Sequence, residues 1–214
     1  MRAIIDNRLT ESEPLAPANT AILAIHWQND IVQPSGAFGA IFADNVKQSG
    51  ALSNAVKLIA EARRLGVAVV HVLAAYDSGF RGHVANNALF RTVVQRHAFV
   101  RGNLGYEPCS EIQPQGDEAV IEHSRISAFS GTDLSALLRA GRILNLAVTG
   151  VATNVAVDHT VRDAVQEGFN TYLLEDCCCS STAAYHDAAM MTLAALSTHV
   201  TTQERFLDLL REPE

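Results

Sequence analysis

Short apolar segments alternate with amphipathic segments along most of the chain. Six segments are apolar on both faces or rich in β-branched residues, which is typical of buried strands in a parallel sheet: residues 20–26, 67–74, 118–122, 143–149, 171–174 and 200–202. Apolar residues at roughly helical spacing predict helices over residues 46–65, 87–96, 133–140, 156–167, 182–197 and 204–210. This repeated strand–helix order predicts an α/β fold in which helices cover both faces of a parallel sheet.

The length of 214 residues fits one domain of ordinary size. We therefore expect a single domain over residues 1–214, with residues 1–18 as an N-terminal extension. Ligands of such sheets bind beyond the carboxyl ends of the strands. That rule directs attention to His26 and to residues 74–77, 122–125, 150–156 and 176–179.

Composition and charge narrow the range of partners. Hydrophobic residues make up 48% of the chain and charged residues 18%, which excludes a disordered chain. A net charge of −7 without a basic cluster argues against nucleic acid and anionic membrane surfaces. No apolar run is long enough to span a membrane, and residues 1–16 show no secretory signal. Four cysteines, three of them consecutive, do not form a disulfide framework. We expect a cytoplasmic protein whose partner is a small molecule.

Three of the strand ends carry motifs with a known counterpart. Residues 22–31 read ILAIHWQNDI, residues 127–134 read SAFSGTDL, and residues 148–164 read VTGVATNVAVDHTVRDA. Together with EDCC at residues 175–178, these motifs resemble the isochorismatase-like hydrolase superfamily, also called the cysteine hydrolases. The resemblance covers nearly the whole chain. It implies a three-layer α/β/α sandwich with a six-stranded parallel Rossmann-like sheet, assembled as a homodimer or homotetramer.

Amidohydrolases of that superfamily use an aspartate, a lysine and a nucleophilic cysteine. The resemblance places the aspartate at the end of the first strand, the lysine four residues before the serine of SAF, and the cysteine after the T-N-x step. This sequence has His26, His123 and Ala156 at those three positions. Its only lysines, Lys47 and Lys57, lie on the first predicted helix and cannot substitute. The covalent cysteine mechanism therefore does not carry over to this chain.

Two histidines in place of an Asp–Lys pair leave several interpretations open. We favour an enzyme that uses His26 and His123 for non-covalent acid/base chemistry, because each imidazole can donate or accept a proton near neutral pH. A catalytically silent member that binds a ligand or serves as an assembly subunit is an alternative. A metal-assisted hydrolase is another, with His159 or one of the cysteines at residues 177–179 as a third ligand. A further possibility is that Ala156 replaces a natural cysteine in a deliberately inactivated protein, which would explain Ala156 but neither histidine. We expect no cofactor and no metal.

Neighbouring residues complete the expected pocket. Trp27 and Phe129 flank the site in the sequence and are expected to form an apolar wall. The resemblance implies a cis peptide before Ala152 or Thr153, and backbone amides around Ala152, Thr153, Val155 and Ala156 that form an oxyanion hole. Backbone donors survive a change of side chain. We therefore expect these residues to bind substrate.

Overall fold

The computed structural model of the chain describes residues 15–211. A six-stranded sheet of parallel strands in the order β3-β2-β1-β4-β5-β6 forms its centre. The strands are β1 (Thr20–Ile25), β2 (Ala68–Ala74), β3 (Ala119–His123), β4 (Asn145–Val151), β5 (Asn170–Cys179) and β6 (His199–Thr201). The predicted α/β fold and parallel sheet are confirmed.

Helices cover both faces of this sheet. They are α1 (Asn29–Val32), α2 (Gly39–Ser49), α3 (Ala51–Leu65), α4 (Ala88–Gln95), α5 (Leu134–Ala140), α6 (Asp158–Gln166), α7 (Ala183–Leu193) and α8 (Gln203–Arg211). Side chains of the central strand alternate between the faces. Ile22 packs in one core with residues of α2, α3 and α8, whereas Leu23 packs in a second core with residues of α5, α6 and α7. This alternation produces three layers.

Several predicted boundaries are wrong for local reasons. The helix predicted over residues 46–65 is two helices, because Gly50 adopts a φ of 72° and ends α2 just before α3 begins. The helix predicted to begin at Ala156 is preceded by a π-helical turn, Thr153–Val157, and α6 begins only at Asp158. The expected N-terminal extension lies mostly outside the described residues, and its last part forms a short 3-10 turn, Pro17–Asn19. Within residues 15–211, no helix has both the length and the apolar character needed to cross a bilayer.

The first segment after β1 is fixed by polar side chains. The amide of Gln28 donates to the carbonyls of Ala74 and Tyr106 and accepts from the N–H of Ala74. The buried carboxylate of Asp30 accepts from the N–H groups of Ala37 and Phe99, at 2.9 and 2.6 Å. These bonds hold the chain that leaves β1 against distant loops.

A close approach of two strands shapes the edge where the site lies. Gly150, near the end of β4, has a φ of 148°, and a Cβ added there would lie 2.3 Å from the carbonyl oxygen of Ile25. Only glycine allows this contact. The peptide bond that follows, between Val151 and Ala152, is cis, as the family resemblance implies. The chain then enters the π-helical turn that carries Ala156.

Candidate active site

His26 and His123 meet at the carboxyl edge of the sheet. His26 directly follows β1 with a φ of 55°, and His123 is the last residue of β3. Their Nε2 atoms are 2.6 Å apart, and the ring planes differ by 18°. The ring centroids are 4.8 Å apart, which is close to the N···N distance plus the two ring radii. The rings therefore meet edge to edge in one hydrogen bond, N–H to lone pair. We call these two residues the histidine pair.

The histidine pair is neutral at neutral pH. Burial lowers the pKa of His123 to about 4, despite an opposing effect of the backbone at Ser127 and Arg125. Burial, followed by the repulsion from His123, lowers the pKa of His26 well below its ordinary value, although a hydrogen bond with the backbone of Val151 opposes this shift. Two adjacent imidazoles without a counter-ion cannot both stay protonated inside the protein.

One ring of the pair donates and the other accepts in this bond, and which ring donates depends on the tautomers of the two imidazoles. Backbone groups favour the charged form of both rings, at Val151 for His26 and at Ser127 and Arg125 for His123. Nδ1 of His123 is buried and has no hydrogen-bond partner of good geometry.

Beside the pair lies a small apolar cavity of about 80 Å³. His26, Ala152, Val155 and Ala156 line one side of it. The rest of the lining comes from loops and from helices α1, α2 and α4: Ile31, Phe38, Phe42, Tyr76, Leu89, Phe90, Val93, Phe99 and Arg125. Ala156, at the position where the family resemblance implies a nucleophilic cysteine, lines this space. Nothing at this position is a nucleophile.

Three expected contributors to the pocket lie elsewhere. Trp27 does not line the cavity; its side chain is buried in the core on the α3 face. Phe129 packs against Phe169 in the opposite core, with ring centroids 6.1 Å apart. The hydroxyl of Thr153 bonds with Nδ1 of His186, 2.9 Å away, and this residue does not line the cavity either. The cavity has an apolar wall, but Phe38, Phe90 and Phe99 line it in place of the expected Trp27 and Phe129.

The metal alternative finds no supporting donor set. Two imidazoles on a tetrahedral zinc would have nitrogens about 3.3 Å apart at ordinary Zn–N distances, farther than the 2.6 Å of the pair. Among residues 15–211, no three His, Cys, Asp or Glu side chains are grouped to hold a metal ion. His159 is exposed, and its Nδ1 bonds with the carbonyl of Val155. The three consecutive cysteines are buried and free of disulfides.

A second, polar cavity of about 340 Å³ lies on the other side of the pair. His123 lines this cavity and not the apolar one. Tyr76 and Arg125 line both and so separate them. No motif in the sequence indicates Arg125 as a site residue, although it stands two residues after His123 in a strand-end segment. A charged residue at a predicted strand end is the sequence feature that could have indicated it.

The comparisons with known proteins agree with this fold. The family model of the isochorismatase domain matches residues 20–205. The ureidoacrylate amidohydrolase RutB of Acinetobacter baylyi is 28% identical, over 94% of this chain and 89% of that protein. A cysteine hydrolase from Pseudomonas syringae pv. phaseolicola has a TM-score of 0.84 at 23% identity, covering 93% of this chain and 95% of that one. The nicotinamidase PncA of Bacillus subtilis has a TM-score of 0.71 at 23% identity, covering 86% and 99%.

A parallel sheet in this order, with a cis peptide and a helical turn at its carboxyl edge, is the isochorismatase-like α/β fold. The chain belongs to the isochorismatase family of hydrolases. The two solved structures, each 23% identical to this chain, show that it shares their fold.

Proposed function

We propose that this protein hydrolyses a small carbonyl compound without a covalent intermediate, with water as the nucleophile and the histidine pair as the acid/base group, in which His26 acts first as the base and then as the acid. The observation that carries the proposal is the buried Nε2–H···Nε2 hydrogen bond between His26 and His123, 2.6 Å long, at the wall of a cavity. Buried polar atoms without partners are rare, and each calls for an explanation. The unpartnered Nδ1 of His123 is one.

Within residues 15–211, neither the residue at the nucleophile position nor the cysteine near it offers a covalent route at this edge of the sheet. Ala156 cannot attack a carbonyl carbon. Cys178 is buried, and its thiol bonds with the carbonyl of Val148. Burial also raises the pKa of that thiol far above its ordinary value, so the reactive thiolate is not formed at neutral pH. The nucleophile must therefore come from solvent.

The reaction then follows from the positions of the groups. A water molecule in the cavity attacks the substrate's carbonyl carbon and gives one proton to His26, whose ring swings away from His123 to accept it. The backbone N–H of Ala156 donates to the oxygen that becomes negative. His26 next returns the proton to the departing nitrogen or oxygen, and the bond to the leaving group breaks. The pair ends in its starting state, so protons and charge balance.

Binding without turnover is the second candidate, and the cavity itself favours it. Its lining is almost entirely apolar, and both inner nitrogens of the pair bond to each other in this structure. A ligand held there would meet no free general base unless the ring of His26 moved. This alternative retains the same pocket and differs only in the absence of chemistry.

Turnover and binding measured on the same compounds separate the two. We would assay short amides, ureas and esters for product release, and measure their binding by calorimetry. The proposal expects hydrolysis that is lost in His26→Phe, which fills the same space without a nitrogen, and that persists in the matched control His159→Gln, an exposed histidine. Hydrolysis retained in His26→Phe would refute the role of the pair. Binding without any hydrolysis would establish the second candidate.

A further inference from the structure

We infer that Arg125 selects substrates that carry a carboxylate, so that the ligand is a small organic anion with a short apolar body. This inference rests on the proposed function, because it names the substrate class of the same pocket. Its basis is the position of Arg125 between the apolar cavity and the polar cavity. A ligand in the apolar cavity can thus present a charged end to the guanidinium.

The positive charge of Arg125 is not balanced by a carboxylate among residues 15–211. The guanidinium donates to the carbonyl of Val84 at 3.2 Å and to Oδ1 of Asn86 at 3.5 Å. Both acceptors are neutral, and both bonds are long. Arginine has five N–H donors in a planar fork that matches a carboxylate, so most of its donor capacity remains for a ligand.

The acidic groups nearby are already engaged. Glu122 pairs with Arg101 at 2.7 Å and accepts a hydrogen bond from the hydroxyl of Tyr106. Asp77 accepts from the backbone N–H groups of Gly79 and Arg81, each at 3.0 Å. Neither carboxylate is free to neutralise Arg125, although both line or border the same polar cavity.

The guanidinium is also held in position before any ligand arrives. It lies over the ring of Phe90, 4.3 Å from the centroid, and Phe90 itself lines the apolar cavity. A cation stacked on an aromatic ring loses little further freedom when an anion binds. Tyr76 adds no competing charge, because burial raises the pKa of its phenol to about 12 and its hydroxyl donates to the carbonyl of Ser124.

The size of the cavity limits the rest of the ligand. A cavity of 150 Å³ accepts benzene, so about 80 Å³ accommodates roughly three or four non-hydrogen atoms. His26 and Ala156 also line this cavity, and the proposed reaction puts the carbonyl under attack beside them. The ligand we infer is therefore a short amide, urea or ester in which a carboxylate is one or two carbons from the carbonyl under attack.

Two probes that carry the same amide group test this inference. Malonamate has a carboxylate where propionamide has a methyl group, and both carry the same amide. Calorimetry gives the Kd of each, and ammonia release gives turnover. The variants are Arg125→Met, which keeps an apolar stem over Phe90, and Arg81→Met, a matched control for an exposed arginine at the neighbouring cavity.

We expect the wild-type protein to bind malonamate about 10-fold to 100-fold more tightly than propionamide, the range for a charge-assisted hydrogen bond. Arg125→Met should abolish this preference while keeping the wild-type urea midpoint, and Arg81→Met should retain it. The inference would be overturned if Arg125→Met still bound malonamate more tightly than propionamide, or if the wild-type protein bound the two probes equally well. A preference seen without ammonia release would support the anion subsite and count against the proposed hydrolysis.

Discussion

Acid should destabilise this protein through the histidine pair, and His123→Gln should remove much of the effect. The folded-state pKa of His123 is lowered to about 4, against an ordinary value of about 6.5 in the unfolded chain. Between these values the unfolded state binds the proton and the folded state does not. The stabilising contribution is therefore present above pH 6.5 and is lost as the pH falls toward 4.

The magnitude follows from the difference between the two pKa values. A full shift of about 2.5 units corresponds to roughly 3 kcal/mol, of which about 2 kcal/mol is lost between pH 7 and pH 5. His123→Gln retains a side-chain amide that can still bond with His26, but it does not titrate. We expect the variant's free energy of unfolding to fall over that range by about 2 kcal/mol less than that of the wild-type protein.

Urea unfolding at closely spaced pH values measures this difference. His159→Gln serves as the control, because His159 is an exposed histidine outside the pair and its replacement should leave the pH dependence unchanged. Other buried groups titrate too, including the His71–Glu118 contact, so the comparison between variants carries the conclusion. Equal pH dependence in wild-type protein and His123→Gln would refute the reasoning.

Three further substitutions follow from the same geometry. The single variant Ala156→Cys should show no amidase activity, and iodoacetamide should alkylate its new thiol only slowly, because a neutral pair supplies no fixed positive charge to hold a thiolate. The triple variant that adds His26→Asp and His123→Lys should be alkylated faster near neutral pH. Gly150→Ala should cost about 3 kcal/mol or more in urea unfolding, because its Cβ would collide with a β1 carbonyl. Asp30→Asn should cost about 2 kcal/mol, since one buried backbone N–H loses its acceptor; an unchanged midpoint in either variant would contradict these contacts.

The sheet and the meeting of the two histidines were predictable from the sequence. Strands buried on both faces read as continuous apolar runs, and parallel strands bring their carboxyl ends to one edge. His26 and His123 follow two such runs, so their convergence required no knowledge of side-chain packing. Ala156 lies at the same edge, because Gly150 allows β4 to approach β1 closely just before the turn that contains Ala156.

The walls of the cavity were not predictable in the same way. Phe38, Phe90 and Phe99 reach the pocket from loops and short helices whose paths depend on tertiary contacts such as those of Asp30. Trp27 was misplaced because a residue just beyond a strand can turn to either face, and here it enters the core. Periodicity within an element carries no information about such turns.

Nuclear magnetic resonance of protein labelled with nitrogen-15 at histidine tests the central claim most directly. At pH 7 we expect two neutral imidazoles of opposite tautomers, one with its proton on Nε2 and the other with its proton on Nδ1, and a coupling between the two Nε2 nitrogens across the hydrogen bond. As the pH falls, neither ring should take up a proton until well below pH 6. A ring charged at pH 7, or Nε2 atoms with no coupling between them, would contradict the shared hydrogen bond on which the proposed mechanism depends.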